Sequence, residues 1–164
     1  GYSPQLAGLA ITPFAIGSAS ASVVGGRLVG RAGRKVVAAG LGTVIAGLLA
    51  TMAATLLVPG TGVGAATALP LLVAGIGSGL VISPNQAITL SEVPPEGGGS
   101  AAGVLQTGQR LGSAIGIAAA GSTFFGALPQ GWATAFRHGL LVVLAFVLVA
   151  LAAALYDLIR SRSQ

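Results

Sequence analysis

At 164 residues, 54% of them hydrophobic and only 7% charged, the chain cannot coat a water-soluble body, because a soluble domain carries about 25% charged residues. With a mean hydropathy of +0.91, its bulk solvent is lipid. The formal net charge of +5 rests on eight basic residues, all but Arg110 at the ends of apolar runs. That placement excludes a nucleic-acid binder, which gathers Lys and Arg on a solvated face, and fits the positive-inside pattern of membrane helices.

The chain has no cysteine, so disulfides, thiolate metal sites and thiol nucleophiles are excluded. It opens Gly1-Tyr2-Ser3-Pro4, with neither a Met nor a basic n-region, and shows no signal peptide there.

A hydrocarbon core about 30 Å thick takes roughly 20 apolar residues in helix. Five stretches meet that length: residues 6–28, 36–58, 66–90, 100–126 and 138–159. The first follows Ser3-Pro4, and proline suits the first turn of a helix. Between the first and second spans lies Gly26 to Lys35, which packs Arg27, Arg31, Arg34, Lys35 and three glycines into ten positions. That pattern predicts a turn between two membrane helices. The second span stops at Pro59-Gly60. The third runs into Ser91 to Gly99, the one acidic loop, where Pro94-Pro95 ends one helix before the glycines release the chain into the next. Loops 59–65 and 128–137 are short and poor in charge apart from Arg137. No long soluble insert interrupts the series, so residues 1–164 read as one membrane domain.

Orientation follows from Lys and Arg near the span ends. The Gly26–Lys35 turn carries four and the tail Arg160-Ser161-Arg162 two. Five spans put both on one side, which is then the cytoplasm, and Ser91–Gly99 joins it because acidic residues count little in this rule. Trp132 then marks the outer interface and Tyr156 the inner one, where amphipathic rings prefer to sit. The same arithmetic places Gly1 outside with no signal to carry it there. At least one upstream span is therefore expected, and the chain reads as a C-terminal fragment.

Gly75-x-x-x-Gly79 and Gly112-x-x-x-Gly116 match the small-xxx-small pattern that lets helix backbones approach closely. Gly75, Gly77 and Gly79 do not make a dinucleotide fingerprint, because the spacing is wrong and no βαβ unit surrounds them.

Two polar clusters point to a cavity. In the third span, Ser83-Pro84-Asn85-Gln86 sets a helix-kinking proline beside two amides, about 12 Å from the turn at Glu92 by the 1.5 Å rise. In the fourth, Gln106, Gln109 and Arg110 share one helical face through i+3 and i+4 spacing, at a depth of about 10 to 16 Å. The clusters thus fall at similar depth on adjoining antiparallel helices. Arg110 has two readings. A charge in a spanning helix faces a bundle interior or aqueous cavity, or its long stem snorkels to the headgroups; Gln106 and Gln109 on the same face favour the cavity.

No catalytic set is present, and the chain does not read as an enzyme. His138 stands alone at the outer end of the fifth span. Glu92 and Glu96 are loop residues, and Asp157 pairs by spacing with Arg160 in the last turn. Asp157 falls in the last turn of the fifth span, at the interface, so no buried acidic residue is available to relay protons.

Gly26-Arg27-Leu28-Val29-Gly30-Arg31-Ala32-Gly33-Arg34-Lys35 resembles the loop signature of the major facilitator superfamily, G-x-L-a-D-r-x-G-r-k, found between the second and third helices of each six-helix half. The matching positions are Gly26, Leu28, Arg31, Gly33, Arg34 and Lys35; Gly30 stands where the family carries the aspartate of an interhelical charge contact. The entry Gly1 to Leu9, and Val93-Pro94-Pro95-Glu96 through Gln106-Thr107-Gly108-Gln109-Arg110-Leu111-Gly112, resemble the fourteen-span drug:proton antiporter branch. The resemblance covers essentially the whole chain.

It implies an all-α integral membrane fold, in which five transmembrane helices form most of the C-terminal six-helix half. It also implies a multi-pass protein of the bacterial plasma membrane that exports drugs or other small molecules by alternating access, with Asn85, Gln86, Gln106, Gln109 and Arg110 on the cavity side. No bound cofactor is expected. The resemblance implies a proton gradient as driving force, with the titrating carboxylate in the N-terminal part. The expected partners are the bilayer, a small-molecule substrate and the N-terminal half of the same protein. The alternatives are an importer of the same superfamily, and a non-transporting membrane remnant or assembly partner.

Overall fold

A computed structural model describes residues 3–58, 60–91 and 93–160. Five long helices account for nearly all of them: α1 (Pro4–Ala32), α2 (Arg34–Leu57), α3 (Val63–Ser91), α4 (Gly98–Ala127) and α5 (Trp132–Arg160). All five are long and apolar enough to cross a membrane. A 29-residue helix such as α3 is about 43 Å long, more than the hydrocarbon core needs, so its ends reach the headgroup layers. Pro59, Glu92 and the tail with Arg162 lie outside the described residues, as do Gly1 and Tyr2.

The helices outrun the predicted spans, most at two places. α1 continues four residues past Leu28 to Ala32, so the basic stretch predicted as a turn is helical except at Gly33. α5 begins at Trp132 rather than 138, leaving only a short 3-10 turn, Leu128–Gln130, and Gly131 between α4 and α5. The reason is common to both. Hydropathy measures the apolar thickness, whereas a helix continues through the interface while its backbone bonds stay internal and its Arg and Trp heads reach the polar layer.

Local chemistry explains the helix ends. Ser3 caps α1, its hydroxyl accepting the Leu6 N–H at 3.3 Å. At the other end Gly33 has φ +51° and ψ −133°, and its N–H bonds the Val29 carbonyl at 2.9 Å. A side chain is strained at that φ, so one glycine reverses the chain. Inside the helices, hydroxyls find partners on their own backbone. Thr51 Oγ1 donates to the Gly47 carbonyl at 2.8 Å, and Ser22 Oγ to the Ser18 carbonyl at 2.8 Å, which suits a helix that water does not reach.

Packing divides the bundle. α3 lies along both α1 and α2, whereas α4 packs mainly on α5, and this pair joins the rest through α5 on α2. The tight part depends on small residues. A Cβ at Gly77 would lie 2.5 Å from the Val44 N and 2.7 Å from the Gly40 carbonyl, so α2 and α3 touch backbone to backbone. Gly17 on α1 meets the Leu72 carbonyl of α3 in the same way, at 2.5 Å. Close approach of this kind replaces the hydrophobic drive that lipid does not supply. By contrast α4 buries only Ala127, and Val104, Ile117 and Phe125 stay exposed along it.

Candidate functional site

Pro84 organises the inner part of α3. It is fully buried and packs where Gly25 of α1 leaves room, a Cβ there lying 3.1 Å from the proline Cγ. Proline also takes one bond from the helix ladder. The two amides that follow therefore start from a locally weakened stretch of helix.

Those amides go different ways. Gln86 Nε2 donates to Gln109 Oε1 on α4 at 3.3 Å, bridging two helices that otherwise barely touch. Around this bond runs a crevice of about 410 Å³, lined by Gln86, Leu90, Leu105, Gln106 and Gln109 with the small residues Gly99, Ala102 and Gly103 between them. Each amide carries donors and an acceptor, so the crevice offers a solute both kinds of polar contact against apolar walls.

Asn85 does not join them. One residue along a helix turns the side chain by about 100°, and Asn85 lines a separate crevice of about 200 Å³ with Arg34, Val37, Thr89, Ala154 and Asp157. Arg110, adjacent to Gln109, is exposed and lines neither crevice. The five residues predicted to face one cavity thus resolve into three amides together and two residues apart from them.

The loop signature is spread over two helix ends. Gly26 faces α3, where a Cβ would lie 3.3 Å from Ser83 Oγ. Gly33 makes the reversal, while Leu28, Arg31 and Lys35 are exposed. Arg34 opens α2, and its Nε lies 2.7 Å from Asp157 Oδ2 near the end of α5. The spacing with Arg160 finds a local neighbour for Asp157 but misses this partner 123 positions away (157 − 34). Nothing in the one-dimensional pattern brings them together; the packing of α5 on α2 does.

The two glycine motifs also part company. Gly75 and Gly79 press on the backbone of α1 at Phe14 and Ser18, as the motif predicts. Gly112 and Gly116 make no such contact, since a Cβ at either finds nothing within 4 Å. They line an open apolar groove of about 420 Å³ with Leu41, Ser113, Val143 and Phe146. Spacing prepares a face for close approach, and among the described residues no helix backbone takes up the one on α4. At the opposite end of the bundle, half-buried His138 shares a recess with Thr123 and Gln130, while Trp132 stands exposed beside the Phe124 ring at a centroid distance of 6.1 Å.

A family model described as "Major Facilitator Superfamily" matches residues 1–163. Among characterised proteins, the chain is 35% identical over 133 residues to a "Probable actinorhodin transporter" of Streptomyces coelicolor, covering 78% of this chain and 22% of that protein. It is 35% identical over 128 residues to "Multidrug resistance protein Stp" of Mycobacterium tuberculosis, covering 74% of this chain and 22% of the relative. The chain therefore spans about a fifth of the length of these relatives. No solved structure matches it significantly.

Proposed function

The chain belongs to the major facilitator superfamily, and from that premise we propose that it forms part of a bacterial membrane transporter that exports drugs or other small molecules. The observation that carries this reading is the Gln86–Gln109 bond inside a crevice between α3 and α4. Gln86 is half-buried and Gln106 and Gln109 are exposed along α4; at membrane depth such amides are costly unless they meet one another, water or a solute. The names of the two relatives, one for actinorhodin and one for drugs, support export of organic molecules.

In this reading the end of the bundle that carries Gly33 and Arg160 faces the cytoplasm, since the basic residues gather there. The crevice opens from that side as part of the solute path, and the Gln86–Gln109 bond exchanges for bonds to solute as the path opens and closes. Alternating access moves one helix bundle against the other around a site near mid-membrane. The remaining bundle is supplied by the rest of a fourteen-span protein, and the proton gradient drives export.

The test uses the full-length protein in inverted membrane vesicles with a fluorescent cationic dye in the external medium, so that export appears as uptake into the lumen. Dye movement should follow an imposed proton gradient and collapse when an uncoupler is added. Transport indifferent to the uncoupler would remove proton coupling. Absence of transport across a panel of drug-like dyes would remove the export reading.

A further inference from the structure

The crevice between α3 and α4 has no charged residue on its walls, which are three amides, two leucines and the small residues Gly99, Ala102 and Gly103. The chain holds three acidic residues, and neither of the two that the structure describes lines it. Glu96 precedes α4 and stands outside the crevice, and Asp157 meets Arg34 in the other recess. Arg110 is outside its walls as well. A charged group entering such a space sheds water and finds no counter-charge, a cost that an uncharged group escapes.

The three amides are unequally occupied. The Gln86–Gln109 bond uses one N–H and one carbonyl, and it leaves a carbonyl on Gln86 and an NH2 group on Gln109. Gln106 shares a face of α4 with Gln109 by the i+3 spacing and lines the same crevice. Its side chain is exposed and makes no hydrogen bond among the described residues, so both its acceptor and its donors remain open. α4 starts at Gly98 and runs for 30 residues, about 45 Å, so a hydrocarbon core about 30 Å thick begins about 7 Å along it. Gln106 lies about 12 Å along, just inside the core on the side of the basic helix ends.

We infer that this crevice is the entry subsite for the uncharged end of a solute that presents a hydrogen-bond donor and acceptor together, as a carboxamide or lactam does, and that Gln106 reads that group. Its place in a solute path rests on the export reading above, whereas the preference for an uncharged group rests on the crevice walls. Gln86 and Gln109 join two helices, so their loss alters the path for every solute. Gln106 bridges nothing and reports recognition alone. A cationic group on the same solute finds its counter-charge outside the crevice.

The experiment compares three solutes built on one fluorescent coumarin ring, which carries a primary carboxamide, a dimethylcarboxamide or a trimethylammonium group. Uptake into inverted vesicles containing the full-length protein gives the half-saturating concentration and maximal rate of each, and fluorescence polarisation with the purified protein gives its Kd. Gln106→Leu should weaken the carboxamide by roughly three- to tenfold in both measures, the weight of one or two neutral hydrogen bonds, at unchanged maximal rate and abundance. The dimethylcarboxamide, which keeps only the acceptor, should lose less, and the trimethylammonium solute should change by less than about twofold. Gln106→Glu, nearly the same shape with a charge added, should instead tighten the trimethylammonium solute by about threefold. Equal losses for all three solutes with Gln106→Leu, no loss for any, or an unchanged protein that does not bind the carboxamide would overturn the subsite. If the unchanged protein binds the carboxamide but moves none of the three, the export reading fails while the Kd values still decide what the crevice recognises.

Discussion

Gln86 Nε2 reaches Gln109 Oε1 across 3.3 Å, and this one side-chain bond bridges α3 and α4 where the helices themselves scarcely meet. A hydrogen bond of this kind contributes only about 0.5–1.5 kcal/mol net. Such a bond is strong enough to hold a closed crevice and weak enough for a polar solute to replace. Substituting Gln86→Leu or Gln109→Leu in the full-length protein should reduce dye export by roughly three- to tenfold at matched abundance. The double variant should lose no more than the worse single, because both remove the same contact. Losses that multiply would mean that the two amides act separately.

Arg110 stands one residue beyond Gln109 and outside the crevice. A guanidinium at membrane depth costs about 2.5–3.5 kcal/mol unless it finds water, a headgroup or a partner. Arg110→Ala should lower export of a cationic dye by about fivefold, equivalent to ~1 kcal/mol, with abundance unchanged. Unaltered export would assign Arg110 to the headgroup layer and end any role in the solute path.

Gly77 and Gly112 have the same residue type and opposite surroundings. A methyl group at Gly77 meets the Val44 N and the Gly40 carbonyl, and backbone atoms cannot step aside as a side chain does. Gly77→Ala should cost about 1–3 kcal/mol, read as a lower melting temperature and reduced yield of the purified full-length protein. Gly112→Ala meets nothing within 4 Å in this chain and should melt within about 2 °C of the unchanged protein, as a substitution worth under 0.5 kcal/mol does. A loss at Gly112 equal to that at Gly77 would show that another part of the full-length protein lies against α4 there.

Gly33 and Gly30 offer a backbone contrast. Gly33 adopts φ +51° and has no neighbour within 4 Å of a Cβ, so any penalty for Gly33→Ala comes from the backbone alone. That penalty should be about 1–3 kcal/mol, visible as a fall in folded yield. Gly30 is helical and equally open, so Gly30→Ala should be neutral or stabilising by a few tenths of a kcal/mol up to about 1. The two yields, compared under one expression condition, separate conformation from space.

The candidate site was only partly legible along the chain. The spacing of Gln106 and Gln109 put both on one face, and the crevice contains both. Asn85 and Gln86, adjacent in sequence, form one cluster along the chain, yet they line different recesses. Adjacency is a poor guide on a helix, where neighbours diverge by about 100° and i+3 or i+4 positions align. The Arg34–Asp157 contact left no local signal, because its spacing is set by how α5 lies on α2 rather than by any helical period.

Sequence alone settled the solvent, the class and the number of long helices. Charge content and apolar run length are sums over residues, and apolar runs of this length satisfy their backbone in lipid as helices. The same residues marked Gly26–Lys35 as a turn and tied that stretch to a family, while the structure narrowed the reversal to Gly33. Which glycine face closes on a neighbour, which amides share a crevice and which carboxylate meets Arg34 were decided by tertiary structure. Gly75 and Gly112 carry the same motif, and only the backbone of α1 beside one of them turns that motif into a contact. A pattern specifies what a face is able to touch, and the packing of helices determines what lies opposite it.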